Sequence, residues 1–186
     1  MARFLIVYGS DEGQTEKVAE HMADLLLQGR HEVDLLHGKK IPREFVLQGY
    51  DGVLIGASIH MGRHQKYMVD FVRLFGDELA DTLSAFFTVC LTARGDSADE
   101  KAQVAQYLQD FMEATEWYPD QVAAFAGALR YTEYGMVKRF IMKRINAESG
   151  DVDTSRDYEY TDWASVDDFV ESFVHAVIGD QVLANM

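Results

Sequence analysis

Five short apolar segments alternate along the chain with longer amphipathic ones. The apolar segments are continuous rather than alternating in polarity, as is typical of parallel strands that helices cover on both faces. They run over Arg3–Tyr8, Glu32–Leu36, Gly52–Gly56, Ser84–Leu91 and Val122–Leu129. The amphipathic segments repeat apolar residues with helical spacing, and they run over Thr15–Gln28, Gln65–Leu79, Lys101–Ala114 and Ala164–Ile178.

The order of these segments predicts an α/β fold with a doubly wound, five-stranded parallel sheet. Right-handed crossovers and helices on both faces favour the strand order 2-1-3-4-5. In that order, ligands bind where the winding reverses, at the carboxyl ends of strands 1 and 3. The connection between the last strand and the last helix is far longer than the usual few residues. We therefore expect one domain over residues 1–186, with a long insert at 130–161.

The turn after the first strand predicts a phosphate site. Hydroxyl groups, a glycine and the start of a helix together can surround a phosphate with neutral hydrogen-bond donors. The residues are Ser10, Asp11, Glu12, Gly13, Gln14 and Thr15. The turn has neither the Gly-Lys-Thr of a P-loop nor a G-x-G-x-x-G pattern, and it contains no cation. A simpler interpretation, in which Thr15 caps the helix and Gly13 turns the chain, leaves Ser10 without a role.

The loops after strands 3 and 4 reach the same edge of the predicted sheet. Small residues there let the backbone approach a flat ring, and Gly62 permits an unusual conformation. The predicted ring contacts are Ala57, Ser58, Ile59, His60, Met61, Gly62, Thr92, Ala93 and Arg94. His60 and Arg94 are candidates for catalysis near the ring, against the alternatives of an exposed histidine and a surface ion pair. His60 and His64 lack a nearby carboxylate or cysteine cluster, so we expect no metal site.

The net charge of −14 excludes the function classes that need a cationic face, nucleic-acid binding above all. Two interpretations of the acidity stay open, a salt-adapted surface and a docking face for basic redox partners. No segment approaches the roughly 18 apolar residues of a membrane span, and the run after Arg3 is short for a signal peptide. The lone Cys90 lies in an apolar run, which favours a buried thiol in a reducing, cytoplasmic setting.

The predicted insert begins with a basic, amphipathic segment. Over 130–145 it carries five cations against the single acid Glu133, and its apolar residues share one side if the segment is helical. Such a segment favours an anionic membrane surface or a propionate-bearing ligand. The alternative is a helix packed on its own domain. The predicted substrate or membrane contacts are Arg130, Tyr131, Lys138, Arg139, Lys143 and Arg144.

Several of these segments together resemble one known family. They are Gly9–Thr15, Ile55–Ile59, Ser84–Phe86 with Ala93-Arg94, Ala126–Tyr131 and Tyr160–Trp163. In this combination the chain resembles the flavodoxin-like, menaquinone-dependent protoporphyrinogen oxidases. The resemblance runs from the first strand to the last helix. One departure is the stretch 132–135, where the family pattern is more aromatic and more basic.

The resemblance implies an FMN-dependent oxidoreductase of haem biosynthesis. FMN would take electrons from a porphyrinogen and pass them to menaquinone or another quinone, with the protein at the inner face of the cell membrane. Two other functions stay open. A soluble electron-transfer flavodoxin would use the acidic surface for docking, although the insert argues against it. An NAD(P)H-dependent quinone reductase would need a second nucleotide site, and the sequence shows no clear one.

Overall fold

A parallel sheet forms the centre of the computed structural model, which describes residues 1–129 and 157–184. The order of the parallel strands is β2-β1-β3-β5-β6, and the short β4 pairs antiparallel with β3. These strands are β1 (Arg3–Tyr8), β2 (Glu32–His37), β3 (Gly52–His60), β4 (Arg63–His64), β5 (Ser84–Cys90) and β6 (Gln121–Ala126). Counting the parallel strands alone, the predicted order 2-1-3-4-5 is confirmed.

Helices cover both faces of the sheet, as predicted. They are α1 (Gln14–Gln28), α2 (Lys66–Leu74), α3 (Gly76–Ala80), α4 (Ala98–Thr115) and α5 (Trp163–Ala184). Successive residues of a strand point to opposite faces. Phe4 and Ile6 therefore pack with side chains of α1 and α5, whereas Leu5 and Val7 pack with side chains of α2 and α4. β1 therefore lies between two apolar cores, one on each face of the sheet.

Two predicted elements are interrupted. The predicted helix Gln65–Leu79 consists of α2 and α3, with a break at Phe75. The predicted strand Val122–Leu129 ends as β6 at Ala126, and a further strand, β7 (Ala128–Leu129), follows. β7 leaves the main sheet and pairs antiparallel with β8 (Tyr158–Glu159). The residues just before the predicted insert thereby pair with the described end of the insert.

A hairpin that the sequence analysis did not predict extends β3. The strand continues through Ser58 to His60, where we expected a loop, and β4 returns beside it. Met61 and Gly62 connect the two strands with φ values of 51° and 79°. Positive φ at both central residues characterises the tightest hairpin turns, and glycine tolerates it best. Gly62 therefore has the unusual backbone conformation that we expected. It adopts this conformation because it lies in a hairpin turn, not in a loop.

His64, which follows this turn, is partly buried and packs against the core, so it is not an exposed loop histidine. Its Nε2 lies 2.9 Å from Thr88 Oγ1, and its ring packs edge-on against Phe111 with centroids 4.9 Å apart. Burial lowers the pKa of His64 to about 4. The ring is therefore neutral at physiological pH.

The basic part of the predicted insert lies outside the described residues. Arg130, Tyr131, Lys138, Arg139, Lys143 and Arg144 all fall there, so their predicted contacts stay predictions. Within 1–129 and 157–184, no helix is both long enough and apolar enough to cross a membrane.

Gly56 is a position in β3 where we predict that a single methyl group destabilises the fold. A Cβ there would lie 2.2 Å from Cζ of Phe87 on the neighbouring strand. Since Phe87 is fully buried, Gly56→Ala should lower the free energy of unfolding in urea by about 1–3 kcal/mol. Gly76→Ala is the matched control, because a Cβ there meets nothing within 4 Å. Equal stability of the two variants would contradict this packing.

Candidate functional site

A crevice opens at the carboxyl ends of β1, β3, β5 and β6. Four segments line it, namely the loop before and at the start of α1, the end of β3, the end of β5 and the residues after β6. The lining residues are Ser10, Asp11, Glu12, Gln14, Thr15, Ser58, Ile59, His60, Val89, Cys90, Leu91, Gly127 and Ala128. This is the position where the strand order predicts a ligand.

The loop before α1 presents hydrogen-bond donors to this crevice. Gly13 is the N-cap of α1 with a φ of 83°, and it caps the helix without a side chain. Its N–H donates to Ser10 Oγ over 2.9 Å, which leaves the Ser10 proton available to a ligand. The first N–H groups of a helix have no acceptor within the helix, and their dipoles favour an anion. The loop therefore offers the shape and polarity that a phosphate needs, and phosphate binding by these residues stays a prediction.

Thr15 places a buried hydroxyl in the crevice wall. The residue is 1% exposed, and its Oγ1 has no hydrogen-bond partner among the described residues. A buried polar group without a partner costs roughly 1–3 kcal/mol. A ligand with acceptor oxygens, such as a phosphate, would remove this cost.

Gln14 has a second buried polar atom without a hydrogen-bond partner in the described part of the chain. The orientation of its side-chain amide follows from its hydrogen bond with Thr161. Thr161 Oγ1 donates its only proton to the Ala126 carbonyl over 2.7 Å. It must therefore accept from Gln14, whose Nε2 lies 2.8 Å away. Gln14 Oε1 faces elsewhere and is buried without a partner in the described part of the chain. Gln14 and Thr15, which are adjacent in the chain and both line the crevice, thus carry an unpaired acceptor and an unpaired hydroxyl, which fits a ligand carrying both phosphate and hydroxyl groups.

The charges around the crevice are negative rather than positive. Asp11 and Glu12 line it, and no lysine or arginine does so among the described residues. Lys39 Nζ lies 3.9 Å from Asp11 Oδ1 and offsets part of that charge. Attraction for a phosphate must come from helix α1 and from neutral donors, as the sequence predicts.

The far side of the crevice is apolar. Ile59, Val89 and Leu91 line it together with the buried Cys90. Burial raises the pKa of the Cys90 thiol, so the neutral thiol prevails at physiological pH. The prediction of a buried structural thiol is confirmed. This wall can hold a flat aromatic group, with the exposed His60 at its rim.

Seven of the predicted contact residues do not line the crevice. Gly13 shapes the turn, and Ala57 is buried in the core against α2 and α4. Met61, which is 90% exposed, and Gly62 form the hairpin tip. Thr92, Ala93 and Arg94 lie on a 3₁₀ turn at Leu91–Arg94. The Arg94 guanidinium stacks over the ring of Tyr160 at 4.9 Å, so a direct role near a ring would require it to move.

The sequence analysis missed several residues of the site. Val89 and Leu91 were part of a predicted strand without a separate role, and Gly127 lay inside another. An isolated glycine in a strand pattern can mark a break or a close approach, and that signal was present at Gly127. Gln65 and Thr161 were assigned no role in the site, because each acts through a partner distant in the sequence.

Comparisons with known proteins agree with this fold. A family model described as flavodoxin domain matches residues 5–156. The protoporphyrinogen IX dehydrogenase (quinone) of Escherichia coli K12 is 34% identical over 92% of this chain and 94% of its own length. The Leishmania major protein of the same name is 33% identical over 91% of this chain and 73% of its own.

Among solved structures, a short-chain flavodoxin associated with a bacterial microcompartment has the same fold. Its TM-score is 0.53 at 13% identity, over 95% of this chain and 99% of that one. The predicted flavodoxin-like fold is therefore confirmed.

Thr15→Val should separate ligand binding from folding. The variant removes one hydroxyl donor and should weaken FMN binding by about 1–3 kcal/mol, measured by quenching of flavin fluorescence. Since valine also removes an unpaired buried group, the free energy of unfolding of the apoprotein should stay constant or rise. Affinity for riboflavin, which lacks the phosphate, is the control and should not change. Unchanged FMN affinity would place the phosphate elsewhere.

Proposed function

Because the chain belongs to the flavodoxin domain family, we propose that it is an FMN-dependent oxidoreductase that oxidises a porphyrinogen and reduces a quinone. The observation that carries the proposal is that Gln14 and Thr15, at the N-terminus of α1, each have a buried polar atom without a hydrogen-bond partner among the described residues. Both residues line the crevice at the carboxyl ends of β1 and β3. Such a site suits a phosphate ester whose organic part extends towards the apolar wall.

Ser10, Thr15 and the first N–H groups of α1 would hold the FMN phosphate. These donors are neutral, so they would bind a terminal monoester without the arginine or lysine that many nucleotide sites contain. Gln14 Oε1 would accept a hydrogen bond from a hydroxyl of the cofactor. Ile59, Val89 and Leu91 would exclude water from one side of the ring.

FMN, once bound, supplies the two-electron chemistry, and the protein supplies binding, orientation and electrostatics. The neutral Cys90 thiol beside the crevice takes no proton and offers no thiolate. Arg94 lies close to this region, on the 3₁₀ turn after β5. Its guanidinium lies over the Tyr160 ring, and from there its charge would attract an anionic substrate without contact to the flavin ring.

The proposed substrates follow from the relatives. Proteins named protoporphyrinogen IX dehydrogenase (quinone) match more than nine tenths of this chain, including the ends of the insert. A porphyrinogen carries propionates, and the insert carries the basic residues Lys138, Arg139, Lys143 and Arg144. We propose that these cations contact the substrate or an anionic membrane surface that supplies the quinone.

The reaction can be tested anaerobically with the purified flavoprotein. Protoporphyrinogen IX should bleach the visible absorbance of the oxidised flavin, and a menaquinone analogue should restore it. Failure of every porphyrinogen to reduce the flavin, with electron transfer to a soluble redox protein instead, would favour an electron carrier. Reduction by NADPH alone would favour a quinone reductase.

Reversing two charges of the insert tests its role. Lys138→Glu with Arg139→Glu should leave the FMN spectrum unchanged and lower kcat/KM for protoporphyrinogen about tenfold or more. Binding to anionic vesicles should also weaken, because each basic residue near such a surface contributes about 1 kcal/mol. Lys40→Glu with Arg43→Glu is the matched control, since both residues are exposed and the charge change is equal. Equal losses in both pairs would show an effect of net charge alone.

A further inference from the structure

Gln65 occupies the N-cap of α2, but its side chain does not cap the helix. N-cap positions favour serine, threonine, aspartate and asparagine, whose short side chains bond to the first turn. The Gln65 backbone carbonyl accepts a hydrogen bond from Met68 N over 3.0 Å. The side chain points away from the first turn of α2, and the residue is buried, with 8% of its surface exposed. A residue that forgoes local capping is expected to have a role elsewhere.

The Gln65 amide joins the two loops on either side of the crevice. Its Oε1 accepts from Ser58 N over 3.1 Å. Its Nε2 donates to Asp11 Oδ2 over 3.1 Å and also to Ser58 Oγ. Because Ser58 N can only donate, the orientation of the amide is fixed. One buried side chain thus ties the loop before α1 to the end of β3.

The space around Gln65 allows this link only because Gly9 has no side chain. A Cβ on Gly9 would lie 3.1 Å from Gln65 Oε1, and it would come within 2.5 Å of Cγ of Met68. The loop can therefore approach α2 closely. Gln65 itself does not line the crevice, so its effect on a ligand passes through Asp11 and Ser58.

We propose that Gln65 is a positioning residue that sets the spacing between the phosphate loop and the ring-side strand. The inference rests on the proposed FMN site. A ligand that reaches both loops gains from their fixed spacing, because no binding free energy is spent on ordering them. A ligand that reaches one loop gains nothing from it. Gln65 therefore favours FMN over its phosphate-free analogue riboflavin.

The variant Gln65→Met tests this, since methionine keeps the length and approximate volume but forms none of the three hydrogen bonds. We expect the Kd for FMN to rise tenfold or more, while the Kd for riboflavin changes less than threefold. The visible circular dichroism of bound FMN should also change, because the ring loses its fixed setting. Gln109→Met, on the exposed face of α4, is the matched control and should change neither Kd.

Exchanging the amide of Gln65 and the carboxylate of Asp11 should restore FMN affinity if the hydrogen bond between them matters. A role of Gln65 in packing alone would not produce this rescue. Gln65→Glu removes the amide donor and sets a carboxylate against Asp11. Adding Asp11→Asn restores an amide–carboxylate bond with reversed polarity. The FMN affinities of wild type, Gln65→Glu, Asp11→Asn and the double variant form a double-mutant cycle. If the two changes acted independently, their fold-losses of affinity would multiply. We expect the double variant to bind FMN at least tenfold more tightly than that product predicts. Strict additivity would overturn the proposal.

The outcomes also separate this inference from the proposed function. Wild-type protein that binds no FMN overturns both. Wild-type protein that binds FMN, with Gln65→Met unchanged in its FMN-to-riboflavin preference, overturns the positioning role and leaves the cofactor in place. Equal weakening of both flavins likewise overturns it, since a general loss of packing would act on both. If Gln65→Met does not fold, the charge-swap cycle decides the question.

Discussion

The candidate site depends on how closely the ends of β1 and β3 approach each other. The Gly9 N–H, one residue past the last pair of the two strands, donates to the Gly56 carbonyl over 2.8 Å. A side chain at either glycine would collide with a packed neighbour, Met68 in one case and Phe87 in the other. The loop before α1 and the end of β3 therefore face each other across a narrow crevice, and Gln65 spans the two from behind.

Binding of an anion to a protein of net charge −14 requires a local cause. For the proposed phosphate the cause would be structural rather than ionic, because the described lining of the crevice contains two carboxylates and no cation. The start of α1 supplies oriented N–H groups, and burial leaves Thr15 without a partner until a ligand arrives. Neutral donors in a buried setting act more strongly than in water, because the local dielectric is lower.

The sequence predicts the parts of this site that depend on local patterns. Continuous apolar strands give the sheet order, and the Ser10–Thr15 loop is visible because helix starts and phosphate binding share the same residue types. Local patterns do not predict the roles of Gln65 and Thr161 in the site, because their hydrogen-bond partners lie up to 147 positions away in the sequence. The hairpin at Met61 and Gly62 was missed for another reason. Met61-Gly62 is not one of the Asn-Gly or Asp-Gly pairs that indicate such a turn in a sequence, so the sequence favoured a loop there.

A crystal structure of the chain grown with FMN would show whether the Ser10–Thr15 loop binds the phosphate of FMN through neutral donors, as we propose. Phosphate oxygens should lie within about 3 Å of the hydroxyls of Ser10 and Thr15, with the ring against Ile59 and Leu91. A phosphate directed into solvent, or held by a lysine or arginine at another edge of the sheet, would contradict the account.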